Sequence, residues 1–121
     1  MKLGQVIIYA KDMPKMIAFY EDTLGLSLVL ETQTRDWAEF EAGGASLALH
    51  AIPAEIADTI EISEPPQPRS QTPIKVVFRV KDVVAERERL LERGALMFPM
   101  RPWGGCDGMD PEGNVFHLAS G

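Results

Sequence analysis

The sequence has few of the features that mark secreted or membrane proteins. Cys106 is the only cysteine in the 121 residues, so no internal disulfide can form, which fits a reducing compartment. No apolar run approaches the roughly 18 residues that a membrane-spanning helix needs. The chain passes from Met1 to a predicted strand within a few residues, and no apolar segment typical of a signal peptide lies between them. We therefore expect a cytoplasmic protein with no membrane partner.

The sequence has fewer basic residues than acidic ones. Twelve lysines and arginines stand against eighteen aspartates and glutamates, which gives a net charge of -6. Proteins that bind nucleic acid need a basic face for the phosphates, so this balance argues against a nucleic-acid partner. The hydrophobic content of 45% is enough for a buried core. The length fits one domain, or two small halves that share a core.

Short strands and one amphipathic helix are predicted in the first part of the chain. The helix begins after Asp12, whose carboxylate can accept the free backbone N–H groups of the first turn. Apolar residues then recur at three- and four-residue spacing as far as Leu24, and Gly25 ends the helix. The strands are predicted at 6–10, 26–31, 37–41 and 45–52.

The same order of elements is repeated later in the chain. Asp82 stands 70 residues after Asp12, and the six residues before each aspartate are alike. A helix is predicted from Val83 to Gly94, and the turn 110–114 precedes a last strand. The proline-rich residues 53–73 are predicted to be a linker. We expect an α+β fold of one domain, with a first βαβββ unit at 1–52 and a second at 74–121.

Alternation along the predicted strands separates an apolar face from a mixed polar face. Helices are expected to cover the apolar faces. The opposite faces carry both histidines of the chain, His50 and His117, together with polar and charged side chains. A sheet that is covered on one side and polar on the other suggests a concave surface for a ligand.

The motifs of the two copies resemble those of the vicinal oxygen chelate superfamily, which includes glyoxalase I, extradiol dioxygenases and bleomycin-resistance proteins. They are Asp12, Phe19-Tyr20, Leu24-Gly25 and Asp110-Pro111-Glu112-Gly113-Asn114. The resemblance implies two βαβββ units that form a curved, mixed sheet around a ligand site, with the helices on the outer face. It also implies a divalent metal (zinc, nickel, manganese or iron) held by the first and last strands of each unit.

The resemblance assigns four positions to the metal site: Gln5, His50, Lys75 and His117. Gln5 and Lys75 are equivalent positions, and His50 and His117 are expected to be equivalent too. Gln5, His50 and His117 are the predicted metal ligands, and His117 is also the predicted catalytic base. Lys75 departs from the pattern, because an ammonium group is repelled by a divalent cation. His117 stands where the family usually has a glutamate.

Five other assignments concern the ligand. Lys75 is predicted to bind an anionic group, or to be neutralised by Glu39 or Glu41 across the concave surface. Trp37 and Trp103 are predicted to form walls by stacking, and Arg79 lies on the same polar face as Lys75.

Two functions from different classes remain open. One is a metal-dependent enzyme (a lyase, an isomerase or a dioxygenase-like enzyme) acting on a small substrate with adjacent oxygens. The other is a metal-free protein that sequesters a small molecule such as an antibiotic; a structural role is a weaker third reading. A homodimer is expected, and the ligand site would be formed either within one chain or from one unit of each of two chains.

Overall fold

The computed structural model describes residues 1–121, which form two compact units, Met1–Glu61 and Ile62–Gly121. The first unit contains β1 (Gln5–Ala10), α1 (Met13–Ala18), β2 (Ser27–Leu28), β3 (Trp37–Glu41), β4 (Ser46–Ala51) and α2 (Ala54–Ala57). Its four strands form one mixed sheet in the order β1-β4-β3-β2. The β1–β4 pair is parallel, and the other two pairs are antiparallel.

The α1 helix covers one face of the first sheet. Asp12 caps it as predicted, because its carboxylate accepts the Lys15 N–H at 3.1 Å. Met16 is fully buried, and the chain continues beyond Ala18 in a π-helical turn at 19–23. Tyr20 in this turn is buried against Phe40 of β3. The predicted helix is therefore present, but its last turn is wider than an α-helical turn.

The second unit repeats this architecture. It contains β5 (Val76–Val80), α3 (Val83–Glu92), β6 (Leu96–Met97), β7 (Cys106–Met109) and β8 (Val115–Ser120). The strand order is β5-β8-β7-β6, again with one parallel pair, β5–β8. Asp82 caps α3, because its carboxylate accepts the Ala85 N–H at 3.0 Å. Leu90 of α3 is fully buried and packs the helix against the sheet. The predicted α+β fold with two βαβββ units is confirmed.

The turn between β7 and β8 is held by its own first residue. Asp110 is fully buried, and its carboxylate accepts the N–H groups of Glu112 and Asn114 and the Asn114 side-chain amide. The Gly113 carbonyl accepts the Arg69 N–H at 2.8 Å, and Arg69 and Asn114 form a parallel bridge. The turn therefore fixes both the β-hairpin and the segment that precedes β5.

Two further observations concern the predicted elements. The predicted strand 26–31 is reduced to Ser27–Leu28 and is followed by a 3-10 turn at 30–32. The short helix α2 lies at the start of the predicted linker, where Lys11 donates to the Ala57 and Ile60 carbonyls. None of the helices has the length and apolar character required to cross a membrane.

Candidate functional site

Four charged or titratable side chains meet on the face of the second sheet that is opposite α3. Asp107 on β7 is opposite His117 on β8, and its Oδ1 lies 2.7 Å from His117 Nδ1. Its Oδ2 accepts from Lys75 Nζ at 3.1 Å and from Arg101 Nη2 at 3.3 Å. We call these four residues the Asp107 cluster. The Asp107 side chain is only 7% exposed, whereas those of Lys75 and Arg101 are each 48% exposed.

The charge state of Asp107 follows from these contacts. Burial on its own raises the pKa of a carboxyl group, but the hydrogen bonds from His117, Lys75 and Arg101 outweigh this effect. The net result is a pKa of Asp107 below its ordinary value of 3.8. The carboxylate is therefore ionised at neutral pH and holds the cations of Lys75 and Arg101 beside β7.

His117 is oriented by Asp107 and by a glycine. Because Nδ1 faces the carboxylate, an Nδ1–H would donate to Asp107 and leave the lone pair on Nε2. A Cβ at Gly105 would lie 2.5 Å from His117 Nε2, so only glycine leaves the ring in this position. Cys106 follows Gly105 and is buried, and burial raises the pKa of its thiol, so it is not an activated nucleophile.

A cavity of about 260 Å³ opens beside the Asp107 cluster. We call it the second-unit cavity. Its lining consists of Pro68, Arg69, Ser70, Thr72, Ile74, Lys75, Phe98, Arg101, Asp107 and Val115. Three of these residues carry a positive charge and one carries a negative charge. The cavity is thus electropositive in a chain whose net charge is -6.

The first unit has a counterpart of the same cluster that contains no cation. Gln5 Nε2 donates to Glu39 Oε2 at 3.3 Å and to Ser46 Oγ at 2.9 Å. Glu39 also accepts from Thr32 Oγ1 at 3.2 Å. Glu39 is paired with Ala48 in the first sheet as Asp107 is paired with His117 in the second. Gln5 and Glu39 therefore correspond to Lys75 and Asp107.

The predicted equivalence of His50 and His117 is wrong. His117 is paired with Val77, whereas the residue 70 positions before Val77 is Ile7, which is paired with Ala48. Ala48 is therefore the counterpart of His117. His50 lies two residues after Ala48, on the same face of β4 and opposite Tyr9. Its ring stacks on the Tyr9 ring and contacts the Trp37 ring edge-on. The shift is not visible in the sequence, because each of these strands contains one histidine and no local motif fixes its register against the parallel partner.

The structure does not bring the predicted metal ligands Gln5 and His50 level with each other, and the third, His117, lies in the second unit. Gln5 on β1 is level with Ser46 on β4, and His50 lies four residues after Ser46. At about 3.3 Å per residue, this separates Gln5 and His50 by about 13 Å along the strands. Metal ligands must all lie about 2 Å from the same ion. His117 and Asp107 are near each other, but the Lys75 and Arg101 cations occupy the carboxylate. Nowhere in the chain do three side chains of His, Cys, Asp or Glu form a metal-binding group.

The remaining predicted ligand-binding residues lie in different places. Trp37 and Glu39 are on β3 in the first unit. Arg79 is on β5 but donates to the Ser120 carbonyl at 3.0 Å and does not line the second-unit cavity. Trp103 is 72% exposed, and the Arg101 guanidinium lies 5.7 Å from its ring centre. Of the predicted residues, only Lys75 lines the cavity directly.

Three charged residues of the site were not predicted. Asp107 lies in the glycine-rich residues 104–108, which show no strand pattern in the sequence. A hairpin centred on the 110–114 turn would have placed Asp107 opposite His117. Arg101 and Arg69 lie in segments without helix or strand, and no periodic pattern points to them. The symmetry of the hairpin about residue 112 is the sequence signal that could have identified Asp107 as the partner of His117.

Comparison with known proteins agrees with this architecture. The family model of the glyoxalase/bleomycin resistance protein/dioxygenase superfamily matches residues 2–118. A family enzyme from Burkholderia phytofirmans PsJN has a TM-score of 0.73 at 20% identity, over 99% of this chain and 98% of that chain. A lactoylglutathione lyase from Agrobacterium tumefaciens has a TM-score of 0.69 at 22% identity, over 99% and 93% of the two chains.

A third structure, a glyoxalase/bleomycin resistance protein/dioxygenase from Nocardioides, has a TM-score of 0.70 at 21% identity, over 99% of this chain and 83% of that one. At these identities the likeness concerns the fold. No curated protein matches the chain significantly. Since the family model covers almost the whole sequence, the chain belongs to the glyoxalase/bleomycin resistance protein/dioxygenase superfamily.

Proposed function

We propose that this protein binds a small anionic molecule in the second-unit cavity and that it does so without a metal ion. The observation that carries the proposal is the charge of the lining: Arg69, Lys75 and Arg101 against the single carboxylate of Asp107. Guanidinium and ammonium groups bind carboxylate and phosphate-like oxygens directly, so no metal is needed as a bridge. Lys75 and Arg101 are half exposed and can turn from Asp107 to a ligand.

The size of the cavity limits the ligand. A volume of about 260 Å³ lies below the roughly 300–1,000 Å³ that encloses drug-sized molecules. The cavity therefore suits a metabolite-sized acid and not a large antibiotic. This separates the proposal from the drug-sequestering function of some relatives.

The proposal is tested by isothermal titration calorimetry on protein treated with a chelator, using a panel of small carboxylates and oxyanions. We expect binding, and Lys75→Gln should weaken it about tenfold, since a charge-assisted hydrogen bond is worth about 1.5–3 kcal/mol. Lys81→Gln is the matched control, because Lys81 is an exposed lysine in the same unit that does not line the cavity. If no anion binds, or if binding requires added zinc, nickel, manganese or iron, the proposal is wrong.

The contact between His117 and Asp107 favours a second candidate, an enzyme that transfers a proton. A histidine whose Nδ1 donates to a carboxylate keeps the lone pair on Nε2, which can accept a proton, and Nε2 of His117 lies beside Gly105. Exchange of the carbon-bound protons of 2-oxo acids in D₂O, followed by proton NMR, tests this candidate. The wild-type protein should accelerate exchange and His117→Asn should not. Equal exchange rates with and without protein would exclude proton abstraction from these acids.

The homodimer stays a prediction. Apolar residues are exposed on the uncovered face of each sheet, including Ile7 at 45% and Val77 at 49%, and a partner subunit would bury such residues. Size-exclusion chromatography with light scattering distinguishes a monomer from a dimer.

A further inference from the structure

The second-unit cavity carries more positive charge than one negative charge can neutralise. Asp107 shares its Oδ2 between Lys75 and Arg101, so it compensates one of these two cations. The Arg69 side chain also lines the cavity and forms no ion pair with any residue. The cavity lining therefore carries an excess of two positive charges, one at the Asp107 cluster and one at Arg69.

Arg69 is positioned by the turn between β7 and β8. Its N–H donates to the Gly113 carbonyl at 2.8 Å, and it forms a parallel bridge with Asn114. Gly113 has a φ of +87°, and a Cβ there would lie 2.1 Å from the Gln67 carbonyl oxygen. Only glycine therefore lets residues 67–69 lie against the turn. Thr72 Oγ1 then donates to the Ile74 carbonyl at 3.1 Å within the segment that leads to β5.

From these contacts we infer that the ligand carries two negative charges and that Arg69, docked on Gly113, recognises the second charge. The inference rests on the proposed anion site and names the class of its ligand: a small dianion, such as a dicarboxylate or a doubly charged oxyanion. A singly charged acid would neutralise the cluster and leave the charge of Arg69 without an anionic partner, whereas a dianion would pair with both.

The test is a comparison of matched anions by calorimetry on metal-free protein. The pairs are succinate with monomethyl succinate and sulfate with methanesulfonate, so that one charge is removed from an otherwise similar molecule. In at least one pair we expect the dianion to bind about tenfold more tightly, the scale of one charge-assisted contact. Arg69→Gln should remove this preference while monoanion binding persists. Arg35→Gln is the control, because that side chain is 93% exposed and belongs to the first unit.

A second variant tests the docking of the segment without changing any charge. Gly113→Ala should reduce the dianion preference as Arg69→Gln does, because the added Cβ displaces residues 67–69. If monoanions and dianions bind equally to the wild-type protein, or if Arg69→Gln keeps the preference, this inference is overturned while the anion site stands. If none of the anions binds, the proposed function itself fails.

Discussion

The Asp107 carboxylate is buried together with the positive charges that keep it ionised. Replacing it removes the partner of two cations and of the His117 ring at once, whereas each of these partners is itself partly exposed. The carboxylate therefore contributes both to stability and to the position of the cavity-lining cations. Its lowered pKa gives this contribution a defined pH dependence.

Asp107→Asn should lower the free energy of unfolding at pH 7 by about 1–3 kcal/mol, since hydrogen bonds to a charged group are lost. The folded-state pKa of Asp107 lies below the ordinary 3.8, so this stabilisation is complete above that value and is lost as the pH falls below it. Urea unfolding at pH 7 and near pH 3 measures the difference between the two proteins. The gap should narrow at the lower pH; a gap that is constant or wider in acid would contradict the assigned charge state.

At the scale of elements, the β7–β8 hairpin determines which side chains meet. Its register pairs Asp107 with His117 and brings Gly105, just before β7, against the His117 ring. The Asp110 carboxylate fixes the turn, and the Gly113 carbonyl holds the segment that carries Arg69. One hairpin therefore positions three of the groups on which the site depends.

Gly105→Ala should destabilise the protein by about 1–3 kcal/mol, the usual cost of overpacking. The new Cβ would lie 2.5 Å from His117 Nε2 and 3.1 Å from the Leu118 carbonyl oxygen, so the ring or the strand must move. Gly4→Ala is the control, because a Cβ at Gly4 has no neighbour within 4 Å. Thermal unfolding of the two variants measures the difference. Equal melting temperatures would show that the His117 ring is not held as described.

Periodicity predicted these elements better than it predicted the contacts between them. Strand alternation and the aspartate caps located β1, β3, β4, β5 and β8 within a residue or two. The register between the parallel strands was not predictable, because a helix and two other strands separate them in the chain and no tight turn fixes which residues become level. For this reason His50 was assigned to the position that Ala48 occupies. Arg69 and Arg101 follow no period, since turns and long-range hydrogen bonds place them.

At the scale of the whole molecule, two units of the same topology carry different chemistry at corresponding positions. Lys75, Asp107 and His117 in the second unit correspond to Gln5, Glu39 and Ala48 in the first. These three positions of the first unit therefore hold neither a cation nor an imidazole. The rings of Tyr9 and His50 stack farther along the same strands. This difference is the reason that anion binding is proposed for the second unit and not for the first.

The most direct test is a titration of ¹⁵N-labelled, chelator-treated protein with succinate, followed by amide chemical shifts. The account predicts saturable shifts at residues that line the second-unit cavity, among them Arg69, Lys75 and Asp107, and none at Gln5 or His50. Shifts centred on Gln5 and His50, or shifts that arise only after a divalent metal is added, would contradict it.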